Sequence, residues 1–312
     1  MSRLVIGTRG SRLAMWQAKS VRHALLRAHG SVEIELKVVR TRGDRIRRAP
    51  LHSVGGTGLF TRELEEALLD GRVDLAVHSL KDLPTALPEG LSLAAVPMRD
   101  DPADALVAKD RMTLEMIPPG ATVLAGSLRR AAQLLHRRGD LEVAPVRGNI
   151  ETRLRKLENS DARAIVLARA GLTRLGLGDR ITQRLDPREF LPACGQGALG
   201  VETRRDDARA GELVAAIDDP AAHCTTSAER AMLGALGGGC HVPVGATARL
   251  TEDGMKLEIT GMVASLDGAC MVRRDVRGGV PGQSVSAAEA LGRRLAEMLL
   301  ADGGREILER LT

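Results

Sequence analysis

Aromatic side chains are almost missing from this chain of 312 residues: it has no Tyr, one Trp (Trp16) and two Phe (Phe60 and Phe190). Single-strand nucleic-acid binders stack bases on aromatic platforms, and this chain has almost none to offer. No basic helix carries a duplex-recognition pattern either. The interior must therefore be packed from Leu, Val, Ile and Ala. Cysteine is scarce as well. Cys194, Cys224, Cys240 and Cys270 show no Cys-x-x-Cys spacing, which fits a reducing compartment, with the cytoplasm as the default. No apolar run approaches the roughly 18 residues of a membrane span. The segment Met1 to Gly7 enters a strand-like run without a signal-peptide pattern.

Lysine is rare too, six against 39 arginines, within a formal net charge of +5. The planar fork of arginine suits bidentate recognition of carboxylate or phosphate. A GC-rich genome's preference for arginine codons explains most of the excess, so composition alone proves no site.

The pattern along the chain is α/β. Leu4 to Ile6 reads as a buried strand ended by Gly7, followed by a helix over Leu13 to His29 with Ala14, Ala18, Val21, Leu25 and Ala28 on one face. Glu33 to Val38 alternates at period two, a half-buried strand. Thr41 to Gly58 is a long polar loop, Leu59 to Leu69 a helix, and Val73 to His78 and Leu91 to Val96 are strands. Past Arg99-Asp100-Asp101-Pro102 the rhythm restarts, with strands at Thr122 to Leu124, Leu141 to Val146 and Ala164 to Leu167 and helices at Leu128 to Arg138 and Glu151 to Leu157. Such alternation predicts parallel sheets covered on both faces, in two lobes with ligands at strand carboxyl ends. Helices over Asp206 to Ile217 and Ala221 to Leu236 follow. Three strands (Val242 to Arg249, Lys256 to Ala264, Ala269 to Arg277) with turns at Asp253-Gly254 and Asp267-Gly268, then a helix over Ser286 to Leu300, predict a C-terminal α+β domain.

Several polar clusters sit just after strands. Thr8-Arg9-Gly10-Ser11 can hold an anion at a helix amino terminus, or can simply be a capped helix with a surface arginine. In Ser127-Leu128-Arg129-Arg130, Ser127 is a natural N-cap, and adjacent arginines point in different directions on a helix. Arg147-Gly148-Asn149 pairs with Arg153 in the next helix to flank a carboxylate. In His78-Ser79-Leu80-Lys81-Asp82-Leu83-Pro84, Asp82 is a carboxylate held ionised beside Lys81, or a salt-bridged turn residue. Gly237-Gly238-Gly239-Cys240-His241 places a thiol after a glycine run that lets something bulky reach the sulfur; Gly237 can cap the preceding helix, leaving Gly238 and Gly239 unexplained. A small buried Cys is the alternative, and zinc held by His223-Cys224 and Cys240-His241 is a third reading, disfavoured because adjacent ligands crowd one metal.

These segments, in this order, resemble the porphobilinogen deaminase (hydroxymethylbilane synthase) family. The matching runs also include Trp16-Gln17-Ala18, Thr41-Arg42-Gly43-Asp44, Gly58-Leu59-Phe60, Ala170-Gly171-Leu172, Arg174-Leu175-Gly176, Leu191-Pro192 and Gly195-Gln196-Gly197-Ala198. The resemblance implies two periplasmic-binding-protein-like lobes plus a C-terminal α+β domain with a three-stranded antiparallel sheet. Lobe 1 would take residues 1–98 and 197–217, lobe 2 residues 103–192, and the third domain 219–312. It implies a dipyrromethane cofactor in thioether linkage to Cys240, and a reaction that joins four porphobilinogen molecules with loss of ammonia and releases hydroxymethylbilane. Asp82 would be the catalytic carboxylate. Lys81, Ser127, Arg129, Arg130, Arg147 and Gly171 would bind the cofactor, and Arg9, Ser11, Gln17, Arg147, Arg153, Arg174 and Gln196 the substrate. No metal, nucleic acid or membrane partner is implied, and the family resemblance points to a monomer. Three departures stand out: Thr57 where the family often has Lys, Ala125-Gly126 where it has Thr-Ser, and Cys194 where a small apolar residue is usual. Two hydroxyls that would touch cofactor carboxylates are thus missing. The rival reading is a non-catalytic two-lobed protein that binds a carboxylated anion, which would need no accessible thiol.

Overall fold

A computed structural model describes residues 3–30, 32–41, 61–238 and 242–311. The chain opens with β1 (Arg3–Thr8), α1 (Arg12–His29), β2 (Glu33–Val38), α2 (Arg62–Leu69), β3 (Leu75–Ser79) and β4 (Leu91–Ala95). It continues with β5 (Asp104–Ala108), β6 (Thr122–Ala125), α3 (Leu128–Arg137), β7 (Glu142–Pro145), α4 (Ile150–Glu158), β8 (Ala164–Ala168), α5 (Arg169–Arg174) and β9 (Gln183–Arg184). Then come β10 (Leu199–Arg204), α6 (Ala208–Ala215), α7 (Pro220–Ala235), β11 (Val244–Leu250), β12 (Lys256–Ala264), β13 (Met271–Gly279), α8 (Val285–Leu299) and α9 (Arg305–Glu309). Two compact units result: Met1–Asp100 with Ala198–His223, and Asp101–Gly197 with Cys224–Thr312.

In the first unit a five-stranded sheet runs β2-β1-β3-β10-β4. Strand β1 is parallel to β2 and β3, whereas β10 is antiparallel to β3 and β4. The expected all-parallel sheet is therefore corrected to a mixed one. Parallel neighbours need a crossover connection, and β10 re-enters the unit without a crossover helix in this sheet. Helix α1 buries Ala14, Ala18, Val21 and Leu25, and the last three pack with Leu4, Ile6, Ile34, Leu75 and Val77. Gln17 joins this buried face, while Ala28 is exposed in the last turn. Gly7 does not end β1. A β-carbon there would sit 3.1 Å from Leu64 and 3.2 Å from Val73, so its smallness lets α2 approach the strand.

The second unit holds a five-stranded sheet ordered β7-β6-β8-β5-β9 and a three-stranded sheet ordered β11-β12-β13. Strand β5 is antiparallel to both β8 and β9, again mixing the sheet. The sequence pattern shows no strand at 104–108, because buried Asp104, Ala105, Leu106 and Val107 lack the alternation that marks a half-buried strand. The antiparallel sheet matches expectation, and its 265–270 turn has Gly268 at φ +70°, a left-handed backbone that glycine adopts at no steric cost. Helices α7 and α8 cover it with Cys224, Ala228, Met232, Leu295 and Leu299 against Ile259 and Val263. Close approach compensates for the missing aromatic bulk: a β-carbon on Gly292 would lie 2.1 Å from the Ala228 carbonyl oxygen.

Gly292→Ala should therefore overpack the α7–α8 contact by about 1–3 kcal/mol, lowering the melting temperature by roughly 3–10 °C. Gly211→Ala, mid-helix in α6 with nothing within 4 Å of the added carbon, should instead hold or raise it, by about 0.4–1 kcal/mol. Thermal denaturation of both variants checks the contrast.

Candidate functional site

In the first unit, the candidate side chains follow the ends of β1 and β3. Ser11 is the N-cap of α1, its hydroxyl accepting from the Ala14 amide at 3.2 Å. The capped-helix alternative thus describes Ser11, with half-buried Arg9 in the same turn. Gln17, buried on α1, donates from Nε2 to the Ser79 hydroxyl at 2.7 Å, tying the helix to the strand that delivers Asp82.

Leu80 to Asp82 form a single 3-10 turn. Leu80 is fully buried, its amide donating to the Ala198 carbonyl at 3.1 Å, and Leu83 is buried with Val96, Ala198 and Ala222. Two buried leucines hold the turn in place, and between them Lys81 is half-buried and Asp82 exposed. Below the turn lies a pair that the sequence did not flag. His78 Nε2 is 3.1 Å from Glu202 Oε2, with both side chains buried. Buried Glu65 of α2 has its carboxyl pKa raised by loss of water, with the nearby Glu202 charge adding to the effect. The signal for this pair was a Glu inside an apolar strand run, Leu199 to Thr203.

In the second unit, α3 starts at Ser127, which adopts the extended N-cap backbone but makes no side-chain cap hydrogen bond. The hydroxyl expected to cap the helix does not do so. Arg129 and Arg130, expected to diverge, both reach Asp104, which is wholly buried at the start of β5. Asp104 accepts from Arg129 Nη1 at 2.7 Å, from Arg130 Nη2 at 2.7 Å and Nε at 3.0 Å, and from Gln196 Nε2 at 2.9 Å. Burial alone would raise the Asp104 pKa, but the two guanidiniums outweigh it and hold the carboxyl well below the usual range. Long side chains from the first helical turn can curl onto one acceptor, which helical angle alone does not reveal. Arg129 also donates to the Leu191 carbonyl at 2.6 Å, while its Nε is buried without a hydrogen-bond partner among the described residues.

The remaining candidate residues lie in the loop after β7 and in α4 and α5. Asn149 caps α4, accepting from the Thr152 amide at 2.8 Å. Arg147 is half-buried and makes no hydrogen bond or ion pair among the described residues. Arg153 turns back to donate from Nε to the Gly148 carbonyl at 2.7 Å. Gly171 is buried in α5, and buried Arg174 donates to the Gly197 carbonyl at 2.6 Å. Glu229, missed in the sequence and fully buried, accepts from the amides of Gly195 at 2.7 Å and Ala248 at 2.8 Å, bracing the loop that carries Gln196.

Cys240, with Gly239 and His241, lies outside the described residues, as do Thr57, Arg42-Gly43-Asp44 and Gly58-Leu59-Phe60. Gly238 does have a packing reason, since a β-carbon there would meet the Leu233 side chain at 2.7 Å. Of the zinc reading's described members, His223 Nδ1 lies 2.9 Å from Asp218, and Cys224 is fully buried with its thiol pKa pushed up by burial. Cys194 packs into the core beneath the antiparallel sheet.

Asp104→Asn leaves two buried guanidiniums without their counter-charge and should cost about 3–5 kcal/mol. Because the folded carboxyl titrates below the unfolded value of about 4, its stabilisation is complete above that pH and is lost as pH falls through the folded value. Unfolding free energies measured from pH 7 to pH 3 should show the wild-type advantage over Asp104→Asn shrinking below pH ~4.

Known proteins are similar over nearly the whole chain. The family description "Porphobilinogen deaminase, dipyromethane cofactor binding domain" matches residues 4–212, and "Porphobilinogen deaminase, C-terminal domain" matches 223–301. The porphobilinogen deaminase of Syntrophotalea carbinolica is 48% identical over 99% of this chain and 96% of its own length. That of Syntrophobacter fumaroxidans is 49% identical, over 98% and 97%, and that of Roseiflexus castenholzii 50% identical, over 98% and 98%. Among solved structures, the methionine binding protein MetQ is similar at 14% identity and a TM-score of 0.43, over 69% of this chain and 89% of its own. The BvgS periplasmic VFT2 domain of Bordetella pertussis is similar at 17% identity and a TM-score of 0.39, over 69% and 86%. With family descriptions covering most of its residues and close relatives matching end to end, the chain belongs to the porphobilinogen deaminase family.

Proposed function

We propose that this enzyme, a hydroxymethylbilane synthase of tetrapyrrole synthesis, uses Asp82 as its catalytic carboxylate and Cys240 as the thioether anchor of its dipyrromethane primer. The observation that carries the first assignment is the turn Leu80–Asp82. Buried Leu80 and Leu83 fix it, and Asp82 is the acid it exposes. When ammonia leaves the aminomethyl group of porphobilinogen, positive charge builds toward the pyrrole nitrogen. A carboxylate on a turn anchored by buried side chains can stabilise that charge with little reorganisation and accept or return a proton at its oxygens.

The residues of the second unit suit a group rich in carboxylates. Ser127 offers a hydroxyl not used for capping, Arg147 a guanidinium without a partner among the described residues, and Arg129 a buried Nε lacking an acceptor. These donors, with Lys81, Arg130 and the backbone at Gly171, would hold the primer's acetate and propionate groups by charge-assisted hydrogen bonds. When bound, dipyrromethane supplies the nucleophilic pyrrole carbon to which porphobilinogen is joined. Arg9, Ser11, Gln17, Arg147, Arg153, Arg174 and Gln196 are assigned to substrate. Of these, Ser11, Gln17, Arg174 and Gln196 also hold elements together, through the α1 cap, Ser79, Gly197 and Asp104 respectively.

Three domains are proposed, residues 1–98 with 197–217, 103–192 and 219–312, supported by the three separate sheets. We also propose a cytoplasmic monomer, supported by the cysteine usage and the family resemblance. Among the described residues no helix is long and apolar enough to cross a membrane.

Intact-mass spectrometry of protein made in porphobilinogen-producing cells should show the polypeptide plus two linked pyrroles, and Cys240→Ser should show the polypeptide alone. A bare wild-type chain would sink the assignment. Asp82→Asn should fold and keep the primer while ammonia release falls roughly 10²–10⁴-fold. Near-normal turnover in that variant would remove Asp82 from the chemistry.

A further inference from the structure

The segment before α3 reads Ala125-Gly126-Ser127, and Gly126 has no room for a side chain. A β-carbon built there would sit 2.8 Å from the Val146 carbonyl oxygen and 3.1 Å from Arg153 Nη1, with the guanidinium carbon at 3.4 Å. The Arg153 guanidinium therefore packs beside the bare backbone that follows β6. Its Nε is meanwhile fixed on the Gly148 carbonyl, 2.7 Å away, in the loop that follows β7. That carbonyl belongs to a residue with φ +112°, a backbone favouring glycine, and a β-carbon on Gly148 would strike Thr152 at 2.7 Å. One half-buried guanidinium thus spans two strand-end loops, next to Ser127 and in the loop region of Arg147, and two glycines make the path for it.

We infer that Gly126 is a positioning residue for Arg153, admitting its guanidinium between the loops after β6 and β7, where it meets a carboxylate of porphobilinogen. The inference rests on the assignment of Arg153 to substrate made above. A side chain at 126 would push the fork away from this seat, since its other neighbour, the Val146 carbonyl, is backbone and cannot swing aside. The hydroxyl absent from position 126 is accordingly not a simple loss of a hydrogen bond. Its space is taken by a charged, two-pronged donor, and charge-assisted hydrogen bonds are the stronger kind.

A double-mutant cycle tests this in primer-loaded protein, with loading verified by intact mass and folding by thermal melting. KM for porphobilinogen and kcat are measured for wild type, Gly126→Ala, Arg153→Ala and the double variant. Each single change should raise KM roughly tenfold or more, as expected for a lost hydrogen bond to a charged group, with a smaller effect on kcat. In KM the double variant should be no worse than Arg153→Ala, because without the guanidinium a side chain at 126 has no substrate contact to remove, whereas its strain against the Val146 carbonyl is present in both backgrounds and is read in the melting temperature. If the Gly126→Ala effect multiplies in full on top of Arg153→Ala, Gly126 does not act through Arg153 and the inference fails. If Arg153→Ala leaves KM at the wild-type value, the assignment of Arg153 to substrate fails instead. Gly126→Ser, which adds a hydroxyl, should also raise KM; a lowered KM would overturn the inference. Should Gly126→Ala not accumulate in folded form, Gly148→Ala in the same two backgrounds reads the coupling from the other contact of Arg153.

Discussion

Asp104 is a carboxylate with no exposed surface, and the start of α3 is organised around keeping it charged. A lone ion in such a place would be prohibitively costly. Two guanidiniums and an amide make it tolerable, and in doing so they join β5, the first turn of α3 and the loop carrying Gln196. The arrangement is a triad of charges with net +1, so an acceptor placed near Arg129 Nε would meet a field that is still positive. Arg129, Arg130 and Gln196, which the family resemblance assigns to ligand binding, are in the polypeptide itself structural. The two roles are compatible because a guanidinium has five donors, and only some of Arg129's are committed to protein acceptors.

The first unit solves a different problem, presenting the Asp82 carboxylate on a turn held by buried side chains. Hydrophobic burial does most of it, through Leu80 and Leu83. Polar contacts secure both faces of the strand before it. Gln17 holds Ser79 on one side, and His78 and Glu202 pair on the other, where α2 covers the sheet. Successive strand residues point to opposite faces, so His78 and Ser79 can anchor the same strand end independently. A chain with almost no aromatic residues achieves this rigidity through close backbone approaches, such as Gly292 on Ala228 and Gly7 beside Leu64 and Val73.

Much of this was legible in advance. Helix and strand periodicity located α1, α3, α4, α8 and the three antiparallel strands to within a few residues. The order of short motifs identified the family, and the resemblance is what proposes Asp82 and the arginines as site residues. What escaped followed a pattern. Strand β5 is too evenly buried to alternate, and the antiparallel entry of β10 depends on where the chain comes from, which no local window records. Ser127 looked like a cap because its residue type and position suit one, yet capping is a matter of side-chain direction, which its neighbours set.

The sequence by itself determined most of the helices and strands, that the interior is aliphatic, and which residue types are available for carboxylate chemistry. Those properties follow from composition and short-range periodicity. Only the tertiary structure decided that Arg129 and Arg130 converge on Asp104, that His78 meets Glu202, and that Arg153 lies over Gly126. Each of these joins atoms from positions distant in the chain, at separations of a few ångströms. Contacts of that kind are set by how the sheets and helices pack, and no spacing along the sequence encodes them.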